Sequence, residues 1–319
     1  MESQRAAVTA VVPTPARATA SPEQVAKFRS FNRYVTRRIG VLDDHYLGQD
    51  RPLGEARLLF EICRGPDGAS LRELRTRLGL DAGYLSRMVK ALQAQGLVAV
   101  RVHPDDSRLR TVRPTPAGRA EVEEQERRAD SLVAGLLEGL TGGQREQLTG
   151  ALATAHRLLR LASITVSSVE PAGPSGGHHP DARACLEAYA ADIDRRFPEG
   201  FDPADLVGPG EVTGDTGAFF VAYEEGRPVG CGALRRLEPG VGEIKHVWVH
   251  PGARRLGLAR RLLDALEQAA VALGLTVVRL DTHATLTEAR EMYRTSGYTE
   301  IPAYSDHVYG AHWFEKRVG

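Results

Sequence analysis

Residues Arg254 to Leu263, RRLGLARRLL, read as a tight turn with Gly257 inside it that runs directly into a leucine-striped helix. The first N–H groups of a helix have no acceptors within it, and the helix dipole adds positive potential there, so an anion is the natural occupant. Glycine allows the backbone to approach such a ligand closely. The side chains of Arg254, Arg255 and Arg260 add positive charge, and Leu256, Leu258 and Ala259 complete the loop. Glycine spacing excludes two phosphate-binding alternatives, since the chain has neither the GxGxxG of a dinucleotide site nor the GxxxxGKS or GxxxxGKT of a P-loop. A second grip for anions lies far upstream. HPDDSRLRTVRPTPAG reads as a strand, a turn and a returning strand with Arg108 and Arg110 near the tip. Guanidinium groups placed this way suit a phosphate backbone or a narrow minor groove. The histidine pairs His178–His179, His246/His250 and His307/His312 have no cysteine beside them, so no metal is expected.

Elements positioning these groups fall into two textures. With 319 residues, the chain is long enough for two ordinary domains. Its formal net charge of zero means that any binding to a polyanion must come from a local patch. Residues 1–21 are expected to form a disordered tail. Residues 22–161 are mostly helical, starting with Ser21 as N-cap and Pro22 at the first helical position. From residue 162 to 319 strands alternate with helices: AFFVAYEE, GRPVGCGALRRL, GVGEIKHVWVH, a helix over 254–273, TVVRLDT, a helix over 286–296, then GYTEI and AHWFEKRV. Cys63, Cys185 and Cys231 are scattered and odd in number, which fits a reducing cytoplasm. No apolar run reaches membrane-spanning length, so no membrane partner is expected.

The helical half carries SLRELRTRLGLDAGYLSRMVKALQAQGLV. Ser70 and Glu73 have capping-box spacing for a short helix, GLD turns, and Asp81 caps a second helix. That second helix places Leu85, Met88, Val89 and Leu92 on one face and Gly83, Ser86, Arg87 and Lys90 on the other, with Tyr84 beside them. A small, polar and basic face suits a helix that enters a major groove. Between Arg72 and Arg113 nine positive residues face four negative ones, leaving +5 on a chain that is neutral overall. Together with the wing Asp106-x-Arg108 and its Thr-Pro-Ala-Gly, this stretch resembles the MarR family of winged helix-turn-helix regulators. The resemblance implies a homodimer built from the first and last helices that reads a pseudo-palindromic operator in double-stranded DNA. Pro114 and Pro116 stand out against that family's pattern.

In the second half, Arg254-x-x-Gly257-x-Ala259 directly after EIKHVWVHP, followed by LTEAREMYRTSGYTEI, resembles the GNAT superfamily of acyl-CoA-dependent N-acetyltransferases. The expected fold is therefore two domains, a mainly α winged helix-turn-helix and an α/β GNAT domain with a mixed, mostly antiparallel sheet. The anion would be the diphosphate of acetyl-CoA, the acyl donor, and the acceptor an amine of a small molecule or protein. Only a neutral amine attacks a thioester, so a base must take a proton. Glu243 matches the family position of that base, with Lys245 and His246 as competitors, and Tyr293 matches the general acid that protonates the leaving thiolate. Val247 and Val249 would offer backbone groups to the pantetheine and to the oxyanion. Strict alternation puts Glu243, Lys245, Val247 and Val249 on one face, an arrangement that a bulge would break. The segment ADIDRRFPEGFDP, with Arg195, Arg196 and Phe197, is expected on the acceptor side. An alternative reading keeps the acyl-CoA site but makes it a sensor without turnover.

Overall fold

The computed structural model describes residues 19–40, 45–49, 51–65, 68–103, 106–169 and 179–319, with side chains 102–109 excepted. The expected tail of residues 1–21 falls almost wholly outside the described residues. Contacts divide the chain into two compact units, one of residues 18–151 and one running from Leu152 to Gly319. This division falls inside a helix, earlier than the position near 162 read from sequence.

In the first unit, α1 (Pro22–Arg38) opens on a capping box between Ser21 and Gln24. It is followed by α2 (Leu53–Cys63), β1 (Ala69–Ser70), α3 (Leu71–Leu78), α4 (Ala82–Ala94), β2 (Val98–His103), β3 (Asp106–Pro114), α5 (Pro116–Glu138) and α6 (Gly142–Ser163), the last shared with the second unit. The three strands form a small antiparallel sheet in the order β1-β3-β2. Leu58, Leu59 and Ile62 of α2, Leu74 of α3, Leu85, Met88 and Leu92 of α4 and Val112 of β3 make one buried cluster. Glu61 is buried inside this unit and is compensated by Arg57, Arg64 and Arg77, the last reaching across from α3 at 3.3 Å. A buried carboxylate survives only with such pairing. The two prolines that stand out have local roles. Pro114 is the last residue of β3, opposite Val98, and Pro116 opens α5 behind the Thr115 cap.

The second unit consists of β4 (Thr165–Ser168), α7 (Pro180–Asp194), β5 (Gly217–Glu224), β6 (Arg227–Glu238), β7 (Val241–Val249), α8 (Leu258–Ala272), β8 (Val277–Thr282), α9 (Thr287–Thr295), β9 (Thr299–Ile301) and β10 (His312–Arg317). Its seven-stranded sheet has the order β4-β5-β6-β7-β8-β10-β9. Every neighbouring pair is antiparallel except β7 and β8, which the α8 crossover makes parallel. Alternation along β5 distributes the core. Phe219 and Val221 pack with α7, while Phe220 and Ala222 pack with the Leu262, Leu263 and Leu266 stripe of α8.

Two irregularities in this sheet matter for function. The β6–β7 register shifts between Cys231↔Trp248 and Ala233↔Lys245, so β7 carries an extra residue there, and His246 has φ 53°. Ile244 accordingly belongs to the α8 side and Trp248 to the α7 side, although strict alternation would put them together. The common face expected for Glu243, Lys245, Val247 and Val249 is broken for the same reason. The second irregularity is that parallel pairing of β7 with β8 stops at Glu243↔Arg279. Beyond that pair the two strands line an opening instead of each other.

Candidate functional site

That opening is a cavity of about 870 Å³ in the second unit. Along one wall run Lys245, His246, Val247, Trp248 and Val249 of β7, and along the other Asp281 and Thr282 of β8 with His283. Arg254, Arg255, Gly257, Leu258, Ala259 and Arg260 close one part, and Tyr293 of α9 lies in the lining as well.

The turn before α8 has the geometry an anion site requires. Residues 251–253 form a short 3₁₀ turn, Arg255 has φ 61° and Gly257 has φ 92°. These positive φ values end any helix N-terminal to Leu258, which is why α8 starts four residues later than the helix over 254–273 read from sequence. No side chain caps Gly257, so the first N–H groups of α8 are left for a ligand. The arginines differ in availability. Arg254 is braced, its Nε donating to the Val249 carbonyl at 3.0 Å and its guanidinium paired with Asp192. Arg260 donates to Thr295 Oγ1 at 2.7 Å. Arg255 is exposed beside the turn. Leu256 is buried in the core and lines no part of the cavity.

Tyr293 is 7% exposed and packs against Tyr298 and Phe314. Burial, helped by the charge of Asp281, raises its phenol above the ordinary tyrosine value, so it stays protonated at neutral pH. Glu243 lies elsewhere. It is buried but is not in the cavity lining, and its carboxylate accepts from Arg235 Nε at 2.7 Å and from the Tyr304 hydroxyl at 2.9 Å. Of the two expected catalytic residues, the fold brings Tyr293 to the cavity and leaves Glu243 behind it.

Several cavity groups had no role expected from the sequence, as Asp281, or only a competing one, as Lys245 and His246. Asp281 accepts from His307 Nδ1 at 2.8 Å, and Lys245 Nζ stands 3.8 Å from its other oxygen. Burial alone would raise the Asp281 carboxyl, but the His307 hydrogen bond and the neighbouring cations hold it below the usual aspartate value. The bulge residue His246 accepts a hydrogen bond from the Val207 N–H at its Nε2, and burial lowers its pKa to about 3. Phe197, Phe201, Tyr189 and Tyr309 form an aromatic end to the cavity, with His283 stacked on Phe197. Of the expected acceptor-side residues, Arg196 and Phe197 line the cavity, Arg196 in a pair with Glu288, while Arg195 turns to Asp192. The periodic strand and helix patterns carried no mark for Asp281 or His307, which meet only through the β8–β10 pairing. Among the described residues, no group of three histidine, cysteine, aspartate or glutamate side chains could hold a metal.

In the first unit, Gly79 ends α3 with φ 64° and Asp81 caps α4 by accepting from the Tyr84 N–H at 2.8 Å. Leu85, Met88, Val89 and Leu92 face the core. Gly83, Tyr84, Ser86, Arg87 and Lys90 are all exposed, and the Arg87 guanidinium stands 5.8 Å over the Tyr84 ring. Arg77 is committed to Glu61, so it contributes charge but no free contact. Arg110 is exposed on β3. The side chain of Arg108 lies outside the described residues. No helix among the described residues is long and apolar enough to cross a membrane.

Comparison with known proteins adds two independent matches. Residues 49–109 match the MarR family model, and residues 185–298 match the model described as Acetyltransferase (GNAT) family. An IAA acetyltransferase of Azospirillum brasilense is 39% identical over 83 residues, covering 26% of this chain and 54% of that protein. An uncharacterized N-acetyltransferase, YsnE of Bacillus subtilis, is 31% identical over 104 residues, covering 32% of this chain and 65% of that protein. The chain thus spans less than two thirds of the length of either. An uncharacterized HTH-type transcriptional regulator of the same organism, YdgJ, is 27% identical over 120 residues, covering 37% of this chain and 71% of that protein.

Proposed function

This chain joins a MarR-family domain to a GNAT-family acetyltransferase domain, and we propose that it is a DNA-binding regulator that also transfers acetyl from acetyl-CoA to an amine. The observation that carries the second activity is the cavity opened where β7 parts from β8, ending at the uncapped start of α8. In this reading the coenzyme diphosphate takes the N–H groups around Gly257 to Arg260, with Arg255 supplying charge and Arg254 holding the turn. Pantetheine lies along Val247 and Val249, whose backbone groups are released from β8 pairing, and a β7 N–H faces the developing oxyanion. Tyr293 gives its proton to the departing thiolate. Glu243, clamped by Arg235 and Tyr304, serves as a strut for β7 on this account, not as the direct proton acceptor.

The first domain binds double-stranded DNA through Gly83, Tyr84, Ser86, Arg87 and Lys90 of α4, with Arg108 and Arg110 on the wing reaching phosphate or the minor groove. A homodimer is part of the proposal. Helix α1 has no buried residue and exposes Val25, Phe28, Phe31 and Tyr34, an apolar row that a second copy would cover. Domain limits of 22–161 and 162–319 complete the assignment, and the three free thiols fit a reducing cytoplasm. The test is thiol release from acetyl-CoA across a panel of primary amines. Amine-dependent release is expected, whereas coenzyme binding without any release would replace the enzyme by a sensor.

A further inference from the structure

The proposed transfer needs a proton acceptor in the cavity, and three histidines line it: His246, His283 and His307. Their hydrogen bonds separate them. His246 receives the Val207 N–H at Nε2, and its Nδ1 is sealed from solvent without a partner. His283 has both ring nitrogens engaged, Nδ1 with Thr285 Oγ1 at 2.8 Å and Nε2 with Glu199 Oε1 at 3.1 Å. In His307 only Nδ1 is engaged, with Asp281, and Nε2 has no partner among the described residues. The cavity carboxylates Asp192 and Glu288 are each committed to an arginine. Carboxylates as a class are also weaker bases than imidazole near neutral pH, which leaves Glu291 behind.

Resting on the acyltransferase reading above, we propose that His307 is the catalytic base toward the acceptor amine and that Asp281 is its positioning residue. Asp281 lies on β8 two residues past the last β7 pair, Glu243↔Arg279, where the strand turns from sheet partner to cavity wall. Its side chain is 8% exposed, and it faces His307, Lys245 and His246. A carboxylate fixed there holds the proton of a neutral imidazole on Nδ1 and leaves the Nε2 lone pair toward substrate, the same orienting logic as in a Ser-His-Asp triad. His307 sits in the loop leading into β10, with Tyr309 edge-on to its ring at 5.7 Å.

The acceptor binds as the neutral amine, its ammonium proton having gone to solvent. As the C–N bond forms, Nε2 of His307 takes one proton from that nitrogen. The C–S bond breaks, and the Tyr293 hydroxyl protonates the thiolate. Solvent then carries the imidazolium proton back to the tyrosinate, giving amide plus thiol.

The test uses the full chain with acetyl-CoA and whichever of tyramine, spermidine, lysine or glycine methyl ester the wild type acetylates fastest. His307→Ala should lower kcat about a hundredfold, retain coenzyme A as tightly as the wild type, and regain part of its rate with added imidazole. Asp281→Asn should move the ¹⁵N signals of His307 away from those of the Nδ1–H tautomer in the protein without ligands. Wild-type turnover with His307→Ala within threefold of it overturns this proposal alone. So does a loss that imidazole leaves untouched, a loss accompanied by loss of coenzyme A, or a His307 tautomer indifferent to Asp281. No turnover of any of the four amines by the wild type overturns the acyltransferase reading and this proposal with it.

Discussion

Tyr293→Phe removes one oxygen and tests one chemical role. The Tyr293 ring is held by Tyr298 at 5.9 Å and Phe314 at 5.7 Å between centroids, contacts that phenylalanine keeps. Removing a hydroxyl that borders the cavity while preserving the ring should change folding stability by less than about 1 kcal/mol. The chemical effect is larger. A positioned general acid contributes about 10²–10⁴ in rate, equivalent to roughly 3–5 kcal/mol of barrier. Burial and the Asp281 charge keep the phenol protonated, so in the proposed mechanism a proton is available for the thiolate throughout the neutral range. The expected outcome of a thiol-release assay is a kcat reduced by at least a hundredfold, with unchanged melting temperature and unchanged affinity for coenzyme A. A variant within threefold of wild-type kcat would refute the general-acid assignment. A parallel loss of coenzyme affinity would instead mark the hydroxyl as a binding group.

Other perturbations separate the two domains and their parts. Arg87→Ala and Arg110→Ala, both exposed in the structure, should weaken operator binding and each lower the slope of log affinity against log salt by about one phosphate contact, read by fluorescence anisotropy; an unchanged slope removes the residue from the interface. Phe28→Glu with Phe31→Glu, on a helix with no buried residue, should shift the chain from the proposed dimer to monomer in analytical ultracentrifugation, and a dimer unchanged by them would place the interface elsewhere. His246 is neutral in the folded state down to about pH 3, whereas the unfolded chain protonates it near 6.5. Between those values the unfolded state binds the extra proton, so stability of the second domain falls as pH drops through that window, by about 1.4 kcal/mol per unit. Replacing the residue in His246→Gln should flatten this acid limb in urea titrations at pH 6.5 and 4.5; an identical limb would acquit the histidine.

How much of this could be read from the residues depends on whether a signal was local. Capping residues acted as their chemistry dictates, because a cap is decided within four residues: Ser21, Ser70 and Asp81 each accept the N–H they were expected to accept. Leucine spacing likewise located α8, though not its first turn, where the positive φ of Arg255 and Gly257 delays the helix. The β7 bulge was harder, since EIKHVWV alone does not say where an extra residue sits, and that residue exists only relative to β6. That one residue decides which side of the sheet Trp248 faces, and with it the lining of the cavity. Glu243 had the right residue type at a suggestive position, yet Arg235 and Tyr304 reach it from β6 and from the loop before β10. Asp281 and His307 are 26 positions apart and meet only once the last strand pairs with β8.

In the proposed function, the start of α8 and the parted strands hold an acyl-CoA by its diphosphate and its pantetheine arm. Calorimetric titration of the full chain with coenzyme A and, separately, with pantetheine tests it most directly, because pantetheine keeps the arm and lacks the diphosphate. One coenzyme A per chain, bound at least about a hundredfold more tightly than pantetheine, is the predicted result, given charge-assisted hydrogen bonds of about 1.5–3 kcal/mol each. Equal affinities, or no binding of coenzyme A, would exclude a diphosphate site at the start of α8.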